Sequence, residues 1–134
     1  MTMNSVPEEA KCALVRYRDK TIAADCPYGN AQRIVTGGEG GVANVHVIAV
    51  TIGKMHIHKK YDEVYYVLAG TGTINLAGKE HPLCPGAVAV IPAGTPHELH
   101  AAPGERLEFV IFGTPAMPIS DVRARPERPD TVSA

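Results

Sequence analysis

Short apolar segments alternate with turn residues along most of the chain. The two clearest, residues 43–52 and 63–69, are rich in β-branched and aromatic side chains and are bounded by glycines or charged residues. Short segments of this composition predict β-strands. Further candidates of the same kind lie at 73–77, 87–91, 97–101 and 106–112, and weaker ones lie at 13–18 and 31–36.

Glycine and proline interrupt most windows in which a helix could form. The chain contains 13 Gly and 11 Pro in 134 residues, and turn dipeptides such as Gly78-Lys79 and Pro103-Gly104 separate the strand candidates. Many short strands joined by turns are typical of an antiparallel sandwich or barrel. We therefore predict an all-β fold.

The length of 134 residues is enough for one domain and too short for two ordinary ones. Within it we predict an N-terminal arm and edge strand over 1–30, a β-barrel over 31–112 and a C-terminal arm over 113–134. The strand pattern stops at Gly113, and four prolines follow among charged residues. We expect this last arm to be disordered or to lie on the barrel or on a neighbouring subunit.

Charge and cysteine usage exclude several classes of protein. With 13 basic and 14 acidic residues the formal charge is −1, which disfavours a general nucleic-acid binder. No apolar run approaches the roughly 20 residues that cross a bilayer, and the first ten residues do not resemble a signal peptide. The three cysteines have no CxxC spacing, so we expect reduced thiols in a cytoplasmic protein.

Four side chains predict a metal site. His56 and His58 are two residues apart, so on an extended strand both point to the same face. A hairpin would bring Glu63 back beside them, and His97 opens another strand after a proline- and glycine-containing turn. Three imidazoles and one carboxylate suit a divalent transition metal: Fe, Mn, Ni, Zn, Co or Cu.

These residues stand in a pattern that resembles the cupin superfamily. Its two motifs are matched in order by His56-x-His58-x4-Glu63-x6-Gly70 and by Gly86-x5-Pro92-x-Gly94-x2-His97. The resemblance implies a double-stranded β-helix, a jelly-roll barrel, with one metal inside. It also implies that His56, His58, Glu63 and His97 are the ligands.

Strand parity predicts the side chains around the metal. Tyr65 shares a face with Glu63, and its hydroxyl is a candidate hydrogen-bond donor or general acid/base, with a packed core tyrosine as the alternative. His46 is either a core histidine with one hydrogen bond or a contact to substrate. The remaining predicted lining residues are Val67, Val90, Leu99 and Phe109. The cavity is therefore expected to be mainly apolar, with Arg33 only a weak candidate for an inward charge.

The resemblance leaves the reaction open because this fold carries many chemistries. We expect a dioxygenase that acts on a small, mainly apolar organic molecule. One alternative is a redox-neutral isomerase, cyclase or lyase in which the metal is a Lewis acid. Another is a non-catalytic metal- or ligand-binding cupin. Because jelly rolls leave sheet edges that need cover, we also expect a homodimer.

Overall fold

The polypeptide forms ten β-strands in the computed structural model, which describes residues 11–118. These residues contain two single-turn 3-10 helices, Arg18–Lys20 and Gly37–Glu39, and no α-helix. The strands are β1 (Ala23–Cys26), β2 (Gly29–Val35), β3 (Asn44–Val50), β4 (Ile52–His56), β5 (Asp62–Ala69), β6 (Gly72–Leu76), β7 (Lys79–Leu83), β8 (Val88–Ile91), β9 (His97–Ala101) and β10 (Leu107–Thr114).

The strands form two antiparallel sheets. The larger sheet has the order β1-β2-β3-β10-β5-β8, and the smaller one has the order β4-β9-β6-β7. The chain changes sheets repeatedly, so strands that are neighbours in sequence often lie in different sheets. This arrangement confirms the predicted all-β jelly-roll barrel.

Alternation of side chains along the strands builds the core between the two sheets. In β10, Leu107, Phe109 and Ile111 are buried, whereas Phe112 is exposed on the outer face. Aliphatic residues from both sheets complete this core, because the chain has no tryptophan and only two phenylalanines. The most deeply buried include Val67, Ile74, Leu99 and Leu107.

The strand pattern differs from the sequence-based prediction at three places. Residues 13–18 form no strand, and the strand within residues 1–30 is β1 instead. Strand β7 lies where no strand was predicted, and the single candidate at 43–52 is divided between β3 and β4, which belong to different sheets. Strand β7 contains Pro82 and mainly polar residues, which is an unfavourable strand signal. It is tolerated because β7 is an edge strand, where a missing backbone N–H costs no interior sheet hydrogen bond.

Parts of the two predicted arms lie outside the described residues. Residues 1–10 of the N-terminal arm and 119–134 of the C-terminal arm are not among them. The beginning of the C-terminal arm contacts the barrel, because Met117 donates its backbone N–H to Asn44 Oδ1 and accepts a hydrogen bond from the N–H of Gly37. Between residues 11 and 118, no helix is long and apolar enough to cross a membrane.

Candidate metal centre

Two of the histidines are placed by direct strand pairing in the smaller sheet. His56, the last residue of β4, lies opposite His97, the first residue of β9. Opposed residues of neighbouring strands project from the same face of a sheet. Here that face is the inside of the barrel, where His97 is almost completely buried.

The other two predicted ligands reach the same point from different structural elements. His58 lies beyond β4 in the connection 57–61, and Glu63 lies in β5 of the larger sheet. The hairpin predicted between His58 and Glu63 is wrong, because β4 pairs with β9 whereas β5 pairs with β10 and β8. The connection therefore crosses from one sheet to the other, and Glu63 approaches the imidazoles from the opposite wall of the barrel.

The four side chains converge. One ligand atom from each of His56, His58 and His97 lies within 4.8 Å of the other two. His56 Nε2 is 3.1 Å from His58 Nε2. Glu63 Oε1 is 3.0 Å from His58 Nε2 and 3.8 Å from His97 Nε2, so the carboxylate lies beside two of the three imidazoles.

Backbone carbonyls determine which nitrogen is protonated in two of the rings. His56 Nδ1 donates to the carbonyl of Lys54 at 2.6 Å, and His97 Nδ1 donates to the carbonyl of Thr95 at 2.9 Å. In a neutral imidazole the other nitrogen then carries a lone pair. Both Nε2 atoms are therefore free of protons and point into the cluster, as is usual for histidines that bind metals.

Burial favours the neutral forms of His56 and His97, whereas neighbouring groups favour the ionised form of Glu63. Burial lowers the pKa of His56 to about 4, with a further contribution from His97, and burial also lowers the pKa of His97. For Glu63 burial alone would raise the pKa, but the hydrogen bond and the charge of His58 outweigh it and the pKa is lowered. Neutral imidazole and ionised carboxylate are the forms that coordinate a metal.

These observations fit a divalent transition metal. The Nε2 atom of His97 is buried and has no hydrogen-bond partner within the described residues. Ligand atoms that lie about 2.1 Å from one ion at right angles are about 3 Å apart, which matches the 3.1 Å between His56 Nε2 and His58 Nε2. The three histidines thus form a candidate metal site.

Two tyrosines surround the cluster. The hydroxyl of Tyr65 donates a hydrogen bond of 3.1 Å to Glu63 Oε1, and burial together with the Glu63 charge raises the pKa of Tyr65 well above its usual value. The ring of Tyr61 is 4.7 Å from that of His58, and burial likewise raises the pKa of Tyr61. Tyr65 therefore orients the carboxylate, and its predicted role in catalysis stays a prediction.

The predicted lining residues divide into two groups. Val67, Leu99 and Phe109 are buried in the core, and His46 is also buried. Val90 was wrongly placed, since it is 62% exposed on the outer face of β8. Val90 is seven residues before His97 and so has the opposite parity, whereas Ile91, six residues before His97, points inward.

Arg33, expected from the sequence only as a weak candidate for an inward charge, contacts a buried histidine. Arg33 in β2 lies directly opposite His46 in β3, and its Nη1 is 3.5 Å from His46 Nδ1. Only the register of β2 shows that Arg33 points inward. In the sequence, Arg33 is two residues from Ala31, so the two side chains share a face of β2. The mixed composition of this short strand gives only a weak indication that this face is the inner one.

Comparisons with known proteins agree with this architecture. The family model described as Cupin domain matches residues 44–113. A protein of known structure from Planctomyces limnophilus is 25% identical, with a TM-score of 0.70 over 83% of this chain and 96% of that chain. Ectoine synthase from P. lautus is 18% identical, with a TM-score of 0.72 over 84% of this chain and 85% of its own.

A third similar structure is a predicted oxalate decarboxylase from Thermotoga maritima. It is 19% identical, with a TM-score of 0.66 over 75% of this chain and 97% of that chain. No protein of curated function matches the sequence. At such identities the solved structures establish the fold and leave the reaction open. Since the family model spans more than half of the residues and the barrel recurs in these structures, the chain belongs to the cupin domain family.

Proposed function

We propose that the protein is a metal-dependent enzyme that acts on a small organic molecule inside the barrel. His56, His58, His97 and Glu63 would hold one divalent ion of Fe, Mn, Ni, Zn, Co or Cu. The observation that carries this proposal is the convergence of three buried or half-buried imidazoles at one point, with two Nε2 lone pairs directed there by backbone carbonyls. Four protein ligands leave open positions on an ion that accepts five or six.

Among the reactions open to such a site, we propose dioxygenation of the substrate. A bound redox-active ion would supply electron transfer to dioxygen. The side chains of Val67, Leu99 and Phe109 make the adjoining wall apolar and exclude water from it. In this reaction the Tyr65 hydroxyl, which donates a hydrogen bond to Glu63, would position the carboxylate.

Oxygen dependence tests this reaction directly. A dioxygenase places both atoms of O2 in the organic product, so no external reductant is needed. Metal-free full-length protein would be reconstituted separately with Fe, Mn, Ni, Co, Cu and Zn, and oxygen uptake would be followed with a panel of small organic acids, enols and ketones. We expect uptake with a redox-active metal and none with zinc, and incorporation of two labelled atoms from 18O2. Turnover that continues unchanged without oxygen would exclude dioxygenation.

A redox-neutral reaction is the second candidate, and the Tyr65 hydroxyl beside Glu63 favours it. An isomerase, cyclase or lyase needs a proton donor or acceptor near a metal that polarises the substrate, and this buried hydroxyl is adjacent to the proposed ligands. Such a reaction would proceed with zinc and without oxygen. A protein that binds metal and small molecules without turnover under either condition would be the non-catalytic cupin.

We further propose that the protein works in the cytoplasm as a homodimer. Its three free cysteines are all exposed, which is compatible with a reducing compartment. The outer face of the larger sheet carries exposed apolar side chains, among them Tyr66, Val88 and Phe112. A second copy would remove this surface from water.

A further inference from the structure

His58 is held differently from the other proposed metal ligands. Backbone carbonyls accept hydrogen bonds from Nδ1 of His56 and of His97, and the Tyr65 hydroxyl donates one to Glu63. The Nδ1 atom of His58 is buried and has no hydrogen-bond partner in the described part of the chain. No hydrogen bond at Nδ1 therefore fixes the rotation of this ring, although a metal ligand needs one fixed orientation.

The backbone that carries His58 is attached to the turn between β8 and β9. The carbonyl of His58 accepts a hydrogen bond of 2.8 Å from the N–H of Gly94. The carboxylate of Asp62 accepts one of 2.8 Å from the N–H of Ala93 in the same turn. Tyr61 lies between these two attachment points, so its backbone is held in place as well.

The ring of Tyr61 packs directly against the imidazole of His58. The two ring centroids are 4.7 Å apart, and the ring planes are inclined by 35°. Both side chains are buried, so this contact is shielded from water. Offset aromatic rings at this separation attract each other, and packing against a buried neighbour limits the rotamers open to a side chain.

Gly113 provides the surface on which Tyr61 rests. It lies in β10, opposite Glu63 of β5 on one side and Asn44 of β3 on the other. A Cβ atom at Gly113 would lie 3.3 Å from both Cδ2 and Cε2 of Tyr61. Gly113 does not have a positive φ, so its backbone conformation does not require glycine. The missing side chain instead leaves room for the tyrosine ring.

We infer that Tyr61 is a positioning residue for the metal site: its ring, resting on Gly113, holds the imidazole of His58 in the orientation that directs Nε2 into the cluster. His58 Nε2 is 3.1 Å from His56 Nε2 and 3.0 Å from Glu63 Oε1, so rotation of the ring would move this atom away from the other ligands. The inference rests on the proposed function, because it requires His58 to be a metal ligand.

Metal binding by the full-length protein tests this role without turnover. Metal-free wild type and variants would be titrated with Co²⁺, with affinity measured by competition with a chelator and ligand geometry by visible absorption. We expect Tyr61→Leu to lower the Co²⁺ affinity about 10- to 100-fold and to change the absorption spectrum. Tyr61→Phe keeps the ring and should retain the wild-type affinity and spectrum. Tyr17→Leu makes the same change at an exposed tyrosine and should alter neither.

A double-mutant cycle tests whether Tyr61 acts through His58. Tyr61→Leu should cost no further Co²⁺ affinity in a His58→Ala background, because the imidazole that it positions is absent. Losses that add would overturn the inference. Wild-type affinity and spectrum in folded Tyr61→Leu would also overturn it, as would a Tyr61→Phe variant as impaired as Tyr61→Leu. Circular dichroism would verify that each variant folds.

Gly113→Ala tests the same contact if Tyr61→Leu fails to fold. The added methyl group requires the Tyr61 ring to move by a few tenths of an ångström, so we expect weaker Co²⁺ binding and a changed spectrum. Gly104→Ala is the control, because Gly104 has φ of +77° and nothing within 4 Å of an added Cβ. It should lower stability and leave the Co²⁺ spectrum unchanged. Identical affinity and spectra in Gly113→Ala and wild type would contradict the inference.

The outcomes separate this inference from the proposed function. A wild-type protein that binds no Co²⁺ would refute the metal site and the role of Tyr61 together. Stoichiometric Co²⁺ binding that Tyr61→Leu leaves unchanged would refute only the role of Tyr61.

Discussion

The backbone prepares individual side chains for the metal site before any ion binds. Carbonyl groups of Lys54 and Thr95 hold the Nδ1 protons of His56 and His97, which leaves both Nε2 lone pairs directed inward. The Tyr65 hydroxyl holds Glu63 in the same way. Three of the four proposed ligands are therefore oriented by a neighbour, which reduces the ordering that metal binding requires.

Replacement of His97 tests the ligand set. His97→Ala removes one imidazole from the cluster, so we expect the apparent metal affinity to fall by at least about 100-fold, measured by competition with a chelator and by elemental analysis. His100→Ala is the control, because His100 lies on the same strand and is exposed, bonded to Glu98. Circular dichroism would verify that both variants fold. Wild-type affinity in His97→Ala would show that the ligand set is wrong.

At the scale of the strands, two connections approach each other closely at the end of β5. Gly70 follows β5 with φ of +87°, and a Cβ atom there would lie 2.2 Å from the carbonyl oxygen of Arg106. Gly78, in the turn between β6 and β7, has a similar φ of +91° but nothing within 4 Å. Both glycines therefore have the positive φ that disfavours other residues, and they differ in whether an added Cβ atom has room.

This pair allows the effect of the contact to be measured. Gly78→Ala should cost about 1–2 kcal/mol of unfolding free energy, the usual strain of a side chain in the left-handed region. Gly70→Ala adds a clash with backbone and should cost at least about 2 kcal/mol more. Urea denaturation of both variants gives the comparison. Equal losses of unfolding free energy in the two variants would mean that the backbone near Arg106 shifts to accommodate the added methyl group without a measurable loss of stability.

For the whole molecule, the distribution of apolar surface favours association. Strand β8 is an edge of the larger sheet, and Val88 and Val90 on its outer face are 57% and 62% exposed. Tyr66 and Phe112 extend the same exposed face across β5 and β10. Apolar side chains clustered on one face are a common feature of interfaces.

Charge placed on this face should disrupt a dimer. We expect the wild-type protein to have the mass of a dimer by light scattering. The double variant Val88→Lys and Val90→Lys should shift toward the mass of a monomer, because burying two unpaired charges in the interface opposes association. Val42→Lys, at an exposed valine elsewhere, is the control. A dimer that persists in the double variant but is lost on removal of residues 119–134 would place the interface at the C-terminal arm instead.

Local sequence patterns predict much of this fold. Residues 97–101 were predicted as a strand and form β9, and the short spacing of His56 and His58 predicted a shared site because the two residues are neighbours in the chain. The turn at residues 92–96 was equally evident from its glycine and prolines. The alternation of side chains along a strand and the residue preferences of turns each depend on a few neighbouring residues. Both can therefore be recognised without knowing which strands pair.

Other features depend on which strands become neighbours. Alternation identifies the inner face within each strand, but Val90 was assigned to the wrong parity, since it lies an odd number of residues from His97 and points outward. The crossing of Glu63 to the opposite sheet and the contact of Arg33 with His46 depend on pairings between distant segments. Spacing along the chain therefore determined the family and the candidate ligands. Which polar groups share the interior was determined by the sheet registers between distant segments, because a register shift of one residue exchanges the inner and outer faces of a strand.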